Sequence, residues 1–180
     1  EKIDRLVKSE HIKELEKIHK ENIKTLKPED MTGALKGRYA VLQQLETMMK
    51  NAKKSIKMLT TENGLVELTE NHANVLKRAS EAGVKIQIAA PITKNLAEHV
   101  KTLSKYAQIR NLVDAENIVA PGRVCVVDGN EFVLGLTDDT KIHPTQDVAV
   151  WTQSAHVTSS MFEPFFEHIW QNSKPVNKAQ

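Results

Sequence analysis

The sequence predicts an α/β fold in which helices cover both faces of a mixed β-sheet. Three observations predict it. Segments with helical periodicity alternate with short apolar runs between residues 38 and 112. The turn Asp128-Gly129-Asn130 then separates two β-branched runs, which is typical of an antiparallel hairpin. A last apolar run and an aromatic-rich helix follow. Alternation of helices and strands favours parallel pairing, and the hairpin adds antiparallel strands.

The first predicted element is a charged helix over residues 1–26, which contains no Gly or Pro. Pro28 ends it, and a linker runs from there to Gly33. The later elements are a helix over 38–52, a strand over 55–60, a helix capped by Thr69 and closed by Gly83, a strand over 84–89, a helix capped by Thr93, a strand over 108–112, hairpin strands over 123–127 and 131–136, a strand over 147–152 and a helix capped by Ser154. Residues 172–180 are predicted to be a tail.

The composition excludes several classes of function. The 180 residues suffice for one domain with an appendage, and the formal net charge of +2 is too small to predict nucleic-acid binding. There is no secretory signal and no apolar run of membrane-spanning length, so we expect a cytoplasmic chain without a membrane partner. The histidines lack zinc-site spacing, Cys125 has no cysteine partner, and no phosphate-binding glycine loop occurs. No metal, cofactor or catalytic residue is therefore predicted.

The charged helix is too polar to be stable alone and must pack against something. Its apolar residues in the second half include Ile12, Leu15, Ile23 and Leu26, which lie on one side of the helix. Two arrangements are open. The helix pairs with a second copy across a homodimer through these residues, or it packs on its own domain.

A ligand crevice is expected where strands end, because crevices in α/β sheets open at the carboxyl ends of strands. The candidate residues there are Thr60, Thr61 and Glu62 after the first strand, Arg123 and Asp128 on the hairpin, and Thr137 at its exit. A guanidinium binds anions in two-pronged geometry, and the hydroxyls and carboxylate suit a sugar. The alternative is that Arg123 pairs internally with Asp128 or Glu62.

The segment 121–137 resembles the catalytic hairpin of the phospholipase D superfamily. Pro121 stands at the position of the family's histidine, Arg123 at its lysine and Asp128 at its aspartate, with Gly135 and Thr137 at the small residues. A proline can neither attack phosphorus nor shuttle a proton. The resemblance thus implies the family's fold without its catalysis, and we predict that the chain is not an enzyme.

Three further stretches resemble the sensor domain of TrmB-type archaeal transcriptional regulators, which is phospholipase-D-like. They are 51–58, 82–88 and the pair 147–151 with 162–170. The resemblance implies that 38–171 is an effector-sensing domain and that 1–27 is a linker or dimerisation helix. It also implies a homodimer, a sugar or anion as small-molecule effector, and DNA bound by an upstream winged helix outside this chain.

Two other functions remain open at this point. One is a phosphodiesterase-type enzyme of the phospholipase D superfamily that uses a displaced histidine such as His143. The other is a structural dimer module that binds no ligand.

Overall fold

The computed structural model describes residues 13, 14, 17, 31–112 and 122–176. The chain divides into two units, Glu1–Met31 and Thr32–Gln180. In the first unit, Lys13, Glu14 and Lys17 are helical and exposed. The predicted dimerisation residues Ile12, Leu15, Ile23 and Leu26 lie outside the described residues, and so do Pro121 and residues 177–180.

The second unit is an eight-stranded mixed sheet with helices on both faces, which confirms the predicted fold class. The strands are β1 (Thr32–Lys36), β2 (Ser55–Leu59), β3 (Lys85–Ala90), β4 (Gln108–Asn111), β5 (Val124–Val127), β6 (Glu131–Gly135), β7 (Val148–Thr152) and β8 (Lys174–Pro175). The helices are α1 (Arg38–Asn51), α2 (Glu62–Glu81), α3 (Ala97–Leu103), α4 (Ala155–Val157) and α5 (Glu163–Asn172). Single 3-10 turns lie at Lys94–Leu96 and Pro144–Gln146, and a π-helical turn, Thr158–Phe162, joins α4 to α5.

The order of strands in the sheet is β1-β7-β6-β5-β2-β3-β4-β8. Strands β2, β3 and β4 are parallel, and every other pairing is antiparallel. The parallel strands are joined by α2 and α3, as the alternation of helix and strand predicts. The hairpin β5–β6 lies antiparallel beside β2, so the start of β5 and the end of β2 share one edge of the sheet.

Each face of the sheet has its own apolar core because neighbouring residues of a strand point to opposite faces. Helices α1, α2 and α3 pack on one face, where Cys125 and Val127 of β5 contribute. Helix α5 packs on the other, where Val124 and Val126 contribute. On that second face Phe132 stacks on Phe162 with ring centroids 3.9 Å apart.

Three elements differ from the sequence-based prediction. Helix α2 begins at Glu62 and its cap is Thr61, whose hydroxyl accepts a hydrogen bond from the Gly64 amide; Thr69 lies inside the helix. Part of the predicted linker is strand β1, and part of the predicted tail is β8, which pairs with β4. Both are edge strands of low intrinsic strand propensity, so their pairing partners decide their conformation.

No helix in the described part of the chain is long and apolar enough to cross a bilayer.

Candidate functional site

The sheet topology brings several predicted site residues to one edge of the sheet. Leu59, the last residue of β2, pairs with Val124, the first residue of β5, and Gly135 at the end of β6 pairs with Ala149 of β7. Three predicted residues therefore lie at the same edge: Thr60 follows β2, Arg123 precedes β5 and Thr137 comes shortly after β6. So does Asp147, which immediately precedes β7 and was not predicted from the sequence.

Asp147 is the centre of this edge. Its carboxylate is 0% exposed and accepts two bonds from Arg123, from Nη1 to Oδ2 at 2.8 Å and from Nη2 to Oδ1 at 2.5 Å. Arg38, the first residue of α1, donates from Nε to Oδ2 at 3.1 Å. The Thr137 hydroxyl donates to Oδ1 at 2.6 Å and accepts from the Val148 amide. Arg123 thus pairs internally, but with Asp147 rather than with Asp128 or Glu62.

A second layer of groups surrounds this pair. The Thr61 hydroxyl donates to Asp139 Oδ2 at 2.6 Å, and Arg38 donates from Nη2 to the Asp139 carbonyl at 3.2 Å. Arg38 also lies 3.4 Å from the Glu67 carboxylate on α2. The other oxygen of Asp139, Oδ1, is buried without a hydrogen-bond partner among the described residues. The Asp147 cluster, as we define it, comprises Arg38, Thr61, Glu67, Arg123, Thr137, Asp139 and Asp147.

The pairing shifts the protonation equilibria of the cluster. Burial, the largest single effect on the pKa of Asp147, acts to raise it, but the bonds from Arg123, Thr137 and Arg38 outweigh burial and hold that pKa well below its usual range. The pKa of Glu67 is raised by burial, although Arg38 and Arg123 partly offset this. Two guanidinium groups therefore face three carboxylates, and the cluster is negative by one charge when all five groups are ionised.

The structure does not bring Asp128 to this cluster. Asp128 lies at the other end of β5, where its φ is 55° in the hairpin turn. Its carboxylate accepts hydrogen bonds from the amides of Lys53, Lys54 and Ser55, at 2.9, 2.7 and 2.9 Å. It thereby fixes the hairpin to the junction between α1 and β2, and in this position it is a structural residue.

The other predicted residues are spread around the edge. Thr60 is buried, while Glu62 is exposed in the first turn of α2. His143, the histidine of the enzymatic alternative, is exposed in the loop before Asp147. Its Nδ1 lies 2.8 Å from the Thr145 hydroxyl, and it caps the 3-10 turn Pro144–Gln146. Within the described residues, no group of three His, Cys, Asp or Glu side chains could hold a metal ion.

A cavity adjoins the cluster, between α1, α2 and the strands β2, β5 and β6. Arg38, Glu67 and Arg123 lie at its charged end, and His72 of α2 also lines it. Sequence reasoning missed Arg38, Asp147 and His72. One signal was present: an arginine at the first position of a helix opposes the helix dipole, which indicates a carboxylate partner.

Comparison with known proteins gives a fold and no family. No family model matches the chain, and no curated protein matches it. Among solved structures, TrmBL2, an archaeal chromatin protein with a novel mode of DNA binding, is 19% identical with a TM-score of 0.63; the match covers 97% of this chain and 67% of TrmBL2. Nuc from Salmonella typhimurium, a phospholipase D family member, is 16% identical with a TM-score of 0.65, over 82% of this chain and 99% of Nuc. Phosphatidylserine synthase from Haemophilus influenzae is 11% identical with a TM-score of 0.54, over 81% and 39%.

These neighbours overturn the sequence-based prediction that the chain is not an enzyme. That prediction depended on Pro121 standing in the place of a histidine, and Pro121 lies outside the described residues. The same fold occurs in an enzyme, the phosphatidylserine synthase, so the fold itself gives no ground for excluding catalysis.

Proposed function

We propose that the chain is the effector-sensing and dimerisation part of a TrmB-like transcriptional regulator. In this proposal residues 38–171 sense the effector, and residues 1–27 form the dimerisation helix. DNA is bound by a winged-helix domain outside these 180 residues.

One observation carries the proposal. The likeness to the DNA-binding TrmBL2 covers 97% of the chain, whereas the likeness to Nuc covers 82%. The difference amounts to about 27 of the 180 residues, which is the length of the proposed dimerisation helix. The likeness to a DNA-binding protein thus extends over more of this chain than the likeness to the phospholipase D family member, which supports the regulator proposal.

The Asp147 cluster favours a neutral effector with hydroxyl groups over an anion. Both guanidinium groups are engaged with carboxylates, so an anion would have to displace Asp147 from Arg123. Thr61 and the exposed Glu62 lie at the amino-terminal end of α2. The carboxylate oxygens of Glu62 can accept hydrogen bonds from sugar hydroxyls there. Of the predicted ligand residues, Thr60, Thr61, Glu62, Arg123 and Thr137 belong to this edge.

A thermal-shift screen against sugars and inorganic phosphate tests the sensing part. A sugar at about 100 times its Kd adds about 2.7 kcal/mol, which raises the Tm by several degrees at about 2–4 °C per kcal/mol. The rise should shrink in Glu62→Gln and persist in Glu70→Gln, the same change at an exposed position two turns along α2. A rise with phosphate alone, or one equally reduced in both variants, would contradict a sugar site at this edge.

Light scattering tests the dimerisation part. We expect twice the monomer mass for the unmodified chain and the monomer mass for Leu15→Lys, because a buried charge at an apolar helix interface is costly. Glu14→Lys is the matched control, since it introduces the same residue at the preceding, exposed helical position. A dimer that survives Leu15→Lys and Leu26→Lys would place the interface elsewhere, and a monomeric unmodified chain would remove the dimer from the proposal.

A further inference from the structure

The cavity beside the Asp147 cluster has mostly apolar walls and a volume of about 40 Å³. Its apolar walls include Val41, Leu42 and Leu45 of α1, Leu68 of α2, Met58 of β2, Cys125 of β5 and Val133 of β6. At about 10–15 Å³ for each water, the space holds about three water molecules. Burial raises the pKa of the Cys125 thiol to about 12, so the thiol is an unreactive part of the wall.

One lining residue does not fit these apolar walls. His72 is 2% exposed, and neither Nδ1 nor Nε2 has a hydrogen-bond partner among the described residues. Leaving a buried polar atom unpaired costs about 1–3 kcal/mol, and most such atoms in proteins do find partners. Leu68 and Leu76, one turn to either side on α2, are apolar and buried. On this face of α2, the His72 imidazole lies between two leucines and lines the cavity with both ring nitrogens unpaired within the described part of the chain.

We propose that this cavity binds a small, neutral and mainly apolar molecule that carries one hydroxyl or N–H group, and that this group hydrogen-bonds to His72. The aliphatic walls select the apolar body of the ligand. The neutral imidazole offers one donor and one acceptor, so it can bond to either kind of polar group. The charged end of the cavity adds no preference for an ionic ligand, because Arg38 and Arg123 are already paired with Asp147.

A ligand larger than three waters requires the walls to move. Leu42 and Leu45 on α1 are only half-buried, so they can rotate toward solvent, and Met58 has an unbranched side chain that adapts to irregular space. Because opening opposes packing, we expect Kd values in the millimolar range for small aromatic probes. The inference goes beyond the sensing function proposed above, since binding in the cavity is measured whether or not the sugar screen or the dimer test succeeds.

Phenol and toluene are the probes, because they share a shape and differ in one hydroxyl. The Kd of each is measured by titration calorimetry for the unmodified chain, for His72→Leu and for His99→Leu. His99 is the matched control, a histidine on α3 whose Nδ1 is also buried and unpartnered but which does not line the cavity. One net hydrogen bond corresponds to a change of about three- to tenfold in affinity.

We expect the ratio of the toluene Kd to the phenol Kd to fall by about three- to tenfold in His72→Leu and to be unchanged in His99→Leu. In the unmodified chain, the ring nitrogen signals of His72 in a ¹H–¹⁵N spectrum should move with phenol and much less with toluene, a readout that does not depend on any variant folding. The proposal is overturned if phenol does not bind at about 10 mM, if His72→Leu leaves the ratio unchanged, or if the His72 signals stay still.

Discussion

The two ends of the cavity between α1 and α2 differ in the hydrogen bonding of a buried polar side chain. Beside the charged end, Asp147 is 0% exposed and accepts hydrogen bonds from two arginines and a threonine. At the other end His72 is 2% exposed and has no partner among the described residues. Both side chains are almost fully buried, so hydrogen-bond partners decide whether a buried polar group stabilises the fold or costs free energy.

The comparison also indicates which end of the cavity can move. Arg38 ties the start of α1 to Asp147, and Thr61 and Glu67 tie the start of α2 to Asp139 and Arg38. No corresponding polar contact involves His72 in the described part of the chain. The two helices are therefore held at their amino-terminal ends and rest on apolar packing further along, so a change in their spacing on ligand binding should occur at the His72 end.

The largest effect should come from removing the centre of the held end. Asp147→Ala leaves the partly buried charges of Arg38 and Arg123 without their main partner, which costs up to about 3–5 kcal/mol. Urea denaturation at pH 7 measures the loss as a lower midpoint with an unchanged slope. Asp138→Ala is the control, because Asp138 is an exposed aspartate nine residues earlier that bonds to Thr140 and Lys141. Equal midpoints for the two variants would contradict the central role of Asp147.

Much of the fold could be predicted from the sequence because its signals are local. The hairpin β5–β6 follows from its turn residues, and α1, β2 and β3 follow from periodicity in short windows. Strands β1 and β8 could not be predicted in this way, because Gly33 and Pro175 weaken strand propensity and only the partners β7 and β4 make up for it. The start of α2 was missed because Asn63 and Gly64 are poor helix formers.

Asp128 and Asp147 show that local sequence signals predict the candidate site only in part. Asp128 was found from the sequence because it occupies the turn, although its carboxylate binds backbone amides instead of a ligand. Asp147 was missed because its partners are 24 and 109 positions away in the chain, and no local pattern reports a contact over such distances. Propensity and spacing locate turns and strands, whereas the pairing of charges depends on which strand ends the topology brings together.

Replacing His72 should change the stability of the fold less than Asp147→Ala does, and it should raise stability instead of lowering it. Burial is the main cause that lowers the pKa of His72 below 6.5; Glu46 on α1 acts to raise it, and Lys50 on α1 to lower it. Because the pKa of His72 is lower in the folded state, the unfolded chain binds a proton at this residue more readily. Acidification therefore favours unfolding. The unmodified protein should therefore lose stability as pH falls below about 6.5, by up to about 1.4 kcal/mol one pH unit lower. Asp147 affects stability in a different pH range. Because its pKa is lowered in the folded state, its contribution to stability is lost only as the pH falls below about 4.

His72→Leu removes this proton uptake and replaces two unpaired nitrogens by apolar surface. We expect the variant to be more stable than the unmodified chain by about 1 kcal/mol at pH 7.5 and by a larger amount at pH 5.5, with an added gain of at most about 1.4 kcal/mol, measured by urea denaturation at both values. His156→Leu, at an exposed position, controls for the loss of a histidine as such. A variant that is less stable at pH 7.5, or a difference that does not grow toward pH 5.5, would mean that the imidazole has a partner in solution. The two ends of the cavity would then be alike, with each buried polar group held in place.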